Sequence, residues 1–181
     1  MKPATHSPPL QADRIMRIIS YVLVLLSLAF LSCSEKQDNV VISKDFQNYE
    51  WERFEYLEGS FDIKKAPEKY DVTMEVVVNE SYPSSYEMHQ DDCPLLINLT
   101  IKNPDNNGSR SKDYKFMFKD KDGNWKADKN ADGYYVFKLP IISEMTFSEN
   151  GTYNFKIENK YPKDPLYGIK SLTLECVNFS K

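Results

Sequence analysis

Histidine, cysteine and helical periodicity are all scarce in this chain, and each scarcity closes off some chemistry. The 181 residues hold two histidines and three cysteines. Beyond the N-terminal leader the only histidine is His89, in the stretch "SYEMHQDDCP". A nucleophile–His–acid triad needs its members convergent in space. Asp91, Asp92 and Cys93 adjoin His89 only along the chain, so the stretch reads as a polar loop. HExxH, GxSxG, P-loop and CxxC patterns are absent. Carboxylates are plentiful, but no spacing singles out a pair for glycoside hydrolysis, so the expectation is a protein without catalytic activity or cofactor. Lysines and acids are interspersed with no block of one sign, and the net charge is −4. A nucleic-acid partner is therefore not expected, because affinity for phosphate backbone rests on clustered cations. No stretch of ten or more residues keeps a helical period, and neither a low-complexity tract nor an internal repeat is evident. Finally, the apolar run Ile18–Leu31 spans 14 residues, short of the roughly 20 that a membrane-crossing helix needs.

What the N-terminus does contain is a leader. Arg14 and Arg17 precede the apolar run, whose length suits the hydrophobic region of a secretory signal, about 7–15 residues. The run ends in Phe30-Leu31-Ser32-Cys33. This resembles a bacterial lipobox, in which a small residue precedes a cysteine that is diacylated on sulfur and becomes the mature N-terminus. Phe30 and Leu31 depart from the usual residues at the two positions before Ser32. The alternative is an ordinary secretory leader in which Cys33 is incidental. Met1–Asp13, "MKPATHSPPLQAD", is polar and Pro-rich, unlike a leader, and Met16 offers a conventional start. The expected organisation is a signal peptide over 1–32, a lipidated N-terminus and tether over 33–45, and one domain over 46–181. About 150 residues then remain, the size of a single domain.

Acylation of Cys33 resolves the odd cysteine count, leaving Cys93 and Cys176 as a candidate disulfide in an oxidising compartment or as two buried free thiols. Loss of the leader removes Lys2, Arg14, Arg17 and Asp13, which takes the net charge from −4 to about −6. So acidic a domain adheres poorly to anionic headgroups, and acyl chains must hold it to the bilayer, at about 0.8 kcal/mol per buried methylene.

Past the tether the pattern is period two. Apolar residues alternate with polar ones at Val72–Val78, Leu95–Ile101, Tyr114–Phe118, Tyr153–Ile157 and Leu172–Cys176, and Trp51–Leu57 and Tyr134–Leu139 add two more segments. Such alternation in β-branched and aromatic residues marks half-buried strands. Loops separate them: "NPDNNGS" at 103–109, "DKDGN" at 120–124, "NADG" at 130–133 and "ENGT" at 149–152, the last with the Asn-Gly pair favoured in two-residue hairpins. These features predict an all-β fold, an antiparallel β-sandwich of about seven to eight strands. Cys93 shares parity with Leu95 and Ile97, and Cys176 with Leu172 and Leu174, so both sulfurs are expected to face the core.

Two loops carry candidate binding chemistry. In "DKNADG", Asp128, Asn130 and Asp132 stand at the first, third and fifth positions of a calcium loop with Gly133 at the sixth, but Leu139 replaces the closing Glu and a strand follows. A hairpin loop is the better reading. Trp125, in "DGNWKAD", is the aromatic most expected to be exposed, and with neighbouring tyrosines it can offer a glycan-stacking surface.

Several segments together resemble a known family. They are "YDVTMEVVVNESYP" at 70–83, "DKDGNW" at 120–125, "FSENGTYNFKIEN" at 147–159 and "PLYGIKSLTLECV" at 165–177, following the lipobox. The chain is similar to the GldH-type gliding-motility lipoproteins of Bacteroidetes. Their pattern falls here on Tyr82-Pro83, on Asp120, Gly123 and Trp125, on Gly151, Tyr153 and Phe155, and on Leu166, Gly168 and Ile169. The chain departs from it at Asn79-Glu80, where an Arg is usual, at Ser84-Ser85-Tyr86, and at Lys126-Ala127-Asp128, where the family is Gly-rich. The resemblance implies a lipid-anchored outer-membrane component of an envelope assembly akin to the gliding and secretion apparatus, with protein partners, on either the periplasmic or the cell-surface face. The alternative function is a surface lipoprotein that binds glycans through exposed aromatics such as Trp125.

Overall fold

A computed structural model of the chain describes residues 40–83 and 94–178. Ten strands follow one another: β1 Val40–Asp45, β2 Glu50–Trp51, β3 Leu57–Ile63, β4 Lys69–Val78, β5 Pro94–Lys102, β6 Ser109–Met117, β7 Tyr135–Thr146, β8 Gly151–Asn159, β9 Leu166–Tyr167 and β10 Ile169–Asn178. The described residues include no α-helix; Gln47–Tyr49 form a single 3₁₀ turn. No described helix is long and apolar enough to cross a membrane.

Period-two patterning dictates the packing. In β4, Tyr70, Val72, Met74, Val76 and Val78 are buried while the residues between them are only partly covered. β5 and β8 repeat this with Leu95, Ile97, Leu99 and Ile101, and with Tyr153, Phe155 and Ile157. A sheet with one apolar face must bury it against another. Two four-stranded antiparallel sheets do so here, one ordered β1-β10-β4-β7 and the other β3-β8-β5-β6, with β2 and β9 forming a short separate ladder. The fold is the expected all-β sandwich.

Three local expectations are revised. The stretch assigned to the tether contributes β1: Val40–Asp45 pairs along β10 from Cys176 to Ser171. The Trp51–Leu57 segment is not one strand. It is the two-residue β2 followed by a turn, and the long strand begins at Leu57 instead, because the Glu55 amide bonds back to Glu52 O and the Arg53 amide is taken by Asp164 Oδ1. And "ENGT" is not a hairpin turn, since β7 pairs with β4 and β8 with β3 and β5, so the loop crosses between sheets. There Asn150 Oδ1 accepts the amide of Ala66 at 2.6 Å.

The register gives the sandwich two distinguishable ends. One row across the first sheet runs Val40–Cys176–Val72–Ile142. This is the near pole, where the chain enters. Asp45–Ser171 lie toward the far pole, where the connections 46–56, 79–83, 118–134 and 160–168 collect. Each end has an aromatic plug. Phe61, Tyr70, Phe147, Tyr153 and Phe155 interlock near the near pole, with Phe61 4.5 Å from Phe155 and 5.2 Å from Phe147 between ring centres. Tyr82, Phe118, Trp125, Tyr135 and Phe137 do so at the far pole.

Candidate functional site

The far pole is built from two turns of one design. Lys119–Trp125, "KDKDGNW", and Lys129–Tyr135, "KNADGYY", share the pattern Lys, Asp or Asn, any residue, Asp, Gly, any residue, aromatic, offset by ten positions. Their backbones match. The amides of Asp120 and Asn130 donate to the carbonyls of Asn124 and Tyr134, both at 2.8 Å, and the amides of Gly123 and Gly133 return to Asp120 and Asn130. Within each turn the leading side-chain oxygen accepts two amides: Asp120 Oδ1 those of Asp122 and Asn124, Asn130 Oδ1 those of Asp132 and Tyr134. Both glycines sit at φ +84°, a conformation glycine adopts without penalty. Bridges Lys119–Trp125 and Lys129–Tyr135 close them. This short repeat was missed in the sequence, where two charged residues of the first turn face an amide and an alanine in the second. Those backbone bonds to Asp120 hold its carboxyl below the ordinary carboxylate range, the bond from Asn124 contributing most.

This geometry decides what the predicted residues do. Asn130 uses its side-chain oxygen to hold the turn, and Asp132 reaches it through its backbone amide, not its carboxylate. Among the described residues no group of three or more His, Cys, Asp or Glu side chains is arranged to hold a metal ion. Trp125 is half-buried rather than displayed: its ring stacks on Tyr135 with centres 4.0 Å apart and planes 16° apart, and the Lys119 ammonium lies 4.4 Å from its centre. Lys129 stands in the same relation to Tyr135, 5.5 Å from the ring centre, and pairs with Glu80 at 2.5 Å. That pair lowers the Glu80 pKa and raises that of Lys129. Cys176 is a buried free thiol on the core side of β10; burial first, then the charge of Asp71, push its pKa up to about 12. Cys33, Cys93 and His89 lie outside the described residues.

Three of the four segments quoted for the family resemblance meet at this pole; the fourth, 147–159, packs Tyr153 and Phe155 into the near-pole cluster. Gly168, at φ +81°, donates to Tyr49 O at 2.8 Å and accepts the Asn79 amide at 2.9 Å. A methyl group there would lie 2.3 Å from Tyr82 N, which only glycine avoids. The approach seats Tyr82 in the core, its ring 5.1 Å from Phe118 and 6.3 Å from Trp125. Leu166 pairs with Trp51, both fully buried.

Around this knot the surface is unexpectedly apolar. Phe54, Tyr167 and Tyr49 are 78%, 50% and 37% exposed, and with Val41 they are the large apolar side chains left exposed among the described residues. Phe54 is displayed by a pinned turn. Trp51 Nε1 donates to Glu55 O, Glu55 N to Glu52 O, Arg53 N to Asp164 Oδ1, and the Arg53 guanidinium to Pro162 O. Tyr49 and Tyr134 share a hydroxyl–hydroxyl bond of 2.9 Å, and Lys170 covers the Tyr134 ring at 4.0 Å. Sequence reading missed Phe54 and Tyr167. The available clue was Phe54 standing among Glu52, Arg53 and Glu55.

Fold and pole define the class: an open antiparallel β-sandwich that presents ordered aromatic and cationic side chains at one end. The GldH lipoprotein family model matches residues 41–175, from the first strand into the last. The chain belongs to that family and is a lipoprotein of the gliding-motility type. No curated protein sequence matches it.

Proposed function

We propose that this protein is a non-catalytic, outer-membrane-anchored component of an envelope assembly of the gliding and secretion type. Acylated Cys33 holds the near pole at the bilayer, and the far pole meets a protein partner. The observation that carries this is the polarity of the sandwich. The chain enters at Val40, at the end opposite the one where Tyr49, Phe54 and Tyr167 stand exposed. Exposed aromatics on an ordered frame are what protein interfaces bury as their anchoring residues. Only six residues separate Cys33 from Val40, so the tether reaches at most about 25 Å and keeps the near pole close to the membrane.

Two measurements test the reading. Labelled fatty acid should enter the protein and fail to enter Cys33→Ser, and the protein should fractionate with the outer membrane. A photo-crosslinker replacing Phe54 should capture a discrete envelope protein in intact cells, whereas one replacing Asp105, at the near pole, should not. Equal yields from both positions, or capture of polysaccharide alone, refute the assembly role, the latter in favour of glycan binding.

A further inference from the structure

At the near pole the sandwich is open along one side. The edge strands there are β6 and β7, which belong to different sheets and do not pair. Between them lies a cleft of about 320 Å³, within the size range of small-molecule sites, about 300–1,000 Å³. Its floor is apolar: Leu99 and Ile101 from β5, Ile142 and Met145 from β7. Its β6 wall is cationic. Register opposite Ile101 and Leu99 places Arg110 and Lys112 on the cleft side of β6.

Two details make this more than a gap. First, β7 is bent where it lines the cleft. Its register slips twice against β4, between Tyr70 and Val72 and between Val72 and Thr73. Glu144 takes φ +53°, held by its amide bond to Asp71 Oδ1 at 2.8 Å. Bulges of this kind re-aim an edge strand and block pairing with another strand. Second, the charges do not cancel. Glu144, the cleft's one carboxylate, is paired with Lys69 at 2.5 Å. Among the described residues no carboxylate pairs with Arg110 or Lys112, and the Lys112 ammonium rests over the Tyr114 ring at 5.0 Å. Arg110 also lines a second, smaller cavity of about 180 Å³, with Asn103, Ser109 and Ser148. An apolar floor beneath two uncompensated cations, continued by hydroxyl and amide groups, complements an amphiphile with an anionic head.

We propose that this cleft binds an anionic phospholipid of the bilayer to which the protein is tethered. Arg110 and Lys112 hold the phosphate, and the start of an acyl chain lies on Leu99, Ile101 and Met145. The choice of a membrane lipid rests on the lipid-anchor reading above. Ile142 lies in the same row as Val40, three strands away, or about 14 Å, and the tether keeps that end within about 25 Å of the bilayer. The site would fix how the domain sits on the membrane, which an acyl tether alone leaves free.

Native mass spectrometry of the full-length protein in detergent, with added lipid, tests this. Phosphatidylglycerol should give at least tenfold more single-lipid adduct than phosphatidylcholine. Arg110→Gln with Lys112→Gln should abolish the preference without moving the urea midpoint, since both side chains are exposed. The same preference in full-length Cys33→Ser would uphold the cleft even if that variant showed the anchor assignment to be wrong. Equal adducts with both lipids, an unchanged preference in the double variant, or binding of laurate but not phosphatidylglycerol would each overturn the proposal.

Discussion

Replacing Gly168 by alanine isolates the close approach on which the far pole depends. Two costs apply. The residue sits at φ +81°, where a side chain costs about 1–2 kcal/mol. The new methyl would also lie 2.3, 2.6 and 2.8 Å from Tyr82 N, Tyr82 Cα and Ser81 C. These are backbone atoms that cannot rotate aside, and overpacking of this kind costs about 1–3 kcal/mol. The total is about 2–5 kcal/mol, which for a domain of this size lowers Tm by roughly 4–20 °C. Gly123→Ala is the matched control. Its φ of +84° carries the same backbone penalty, but nothing lies within 4 Å of its added methyl, so only about 1–2 kcal/mol is expected. Urea unfolding followed by tryptophan fluorescence reads both variants, since Trp51 is fully buried beside this knot. If the two unfold at the same midpoint, Gly168 is present for its φ alone, and the packing argument fails.

Other consequences follow directly. Phe118→Ala removes a fully buried ring stacked 4.2 Å from Phe137 and should destabilise by about 3–5 kcal/mol in the same assay. Asp120, with its folded pKa lowered, supports its turn above the ordinary carboxylate pKa and loses that support as pH falls through the lowered value; the amide resonance of Asn124, bonded to the Asp120 carboxylate, should shift in acid more than that of Tyr134, bonded to the neutral Asn130. Cys176, raised from 9.0 to about 12, contributes stability that is complete below pH 9 and lost as pH rises toward 12, so wild type should lose more stability than Cys176→Ala over that interval. Absence of this difference, together with a mobility shift on adding reductant, would mean that Cys176 is bridged to Cys93.

The sandwich was legible because its signal is local. Alternation in β4, β5, β8 and β10 reports directly on which side chains are buried, and those strands stand where the period placed them. β1 escaped because "VVISKD" is short and lies on an edge, where Val41 is left exposed and the alternation has little to separate. β3 escaped because Gly59 occupies an inward position. Its missing side chain makes room for Ile42 of β1, 2.7 Å from where a methyl group would stand, and that fit is a property of two strands, invisible in either alone. The Asn-Gly pair misled for the same reason: a turn dipeptide states that the chain bends, not which sheet it returns to. At the far pole, the exposure expected of Trp125 failed because its stacking partner, Tyr135, comes from the second turn of a pair whose likeness lies in backbone geometry more than in residue identity.

The residues that mark the family and the residues proposed to meet a partner are different sets, for a physical reason. Gly168, Tyr82, Leu166 and Trp125 lock the far pole together, and Gly151, whose added methyl would strike Pro104 at 2.8 Å, belongs to the near pole with Tyr153 and Phe155. These positions are fixed by close contact, so few other side chains fit. Phe54 and Tyr167 are exposed to solvent, and the turn beneath Phe54 is held mainly through backbone groups of Arg53, Glu55, Tyr161 and Pro162. Substituting Phe54 therefore leaves the frame intact, so Phe54→Ser should change capture of the partner with little change in the unfolding midpoint. Gly168→Ala should damage both together.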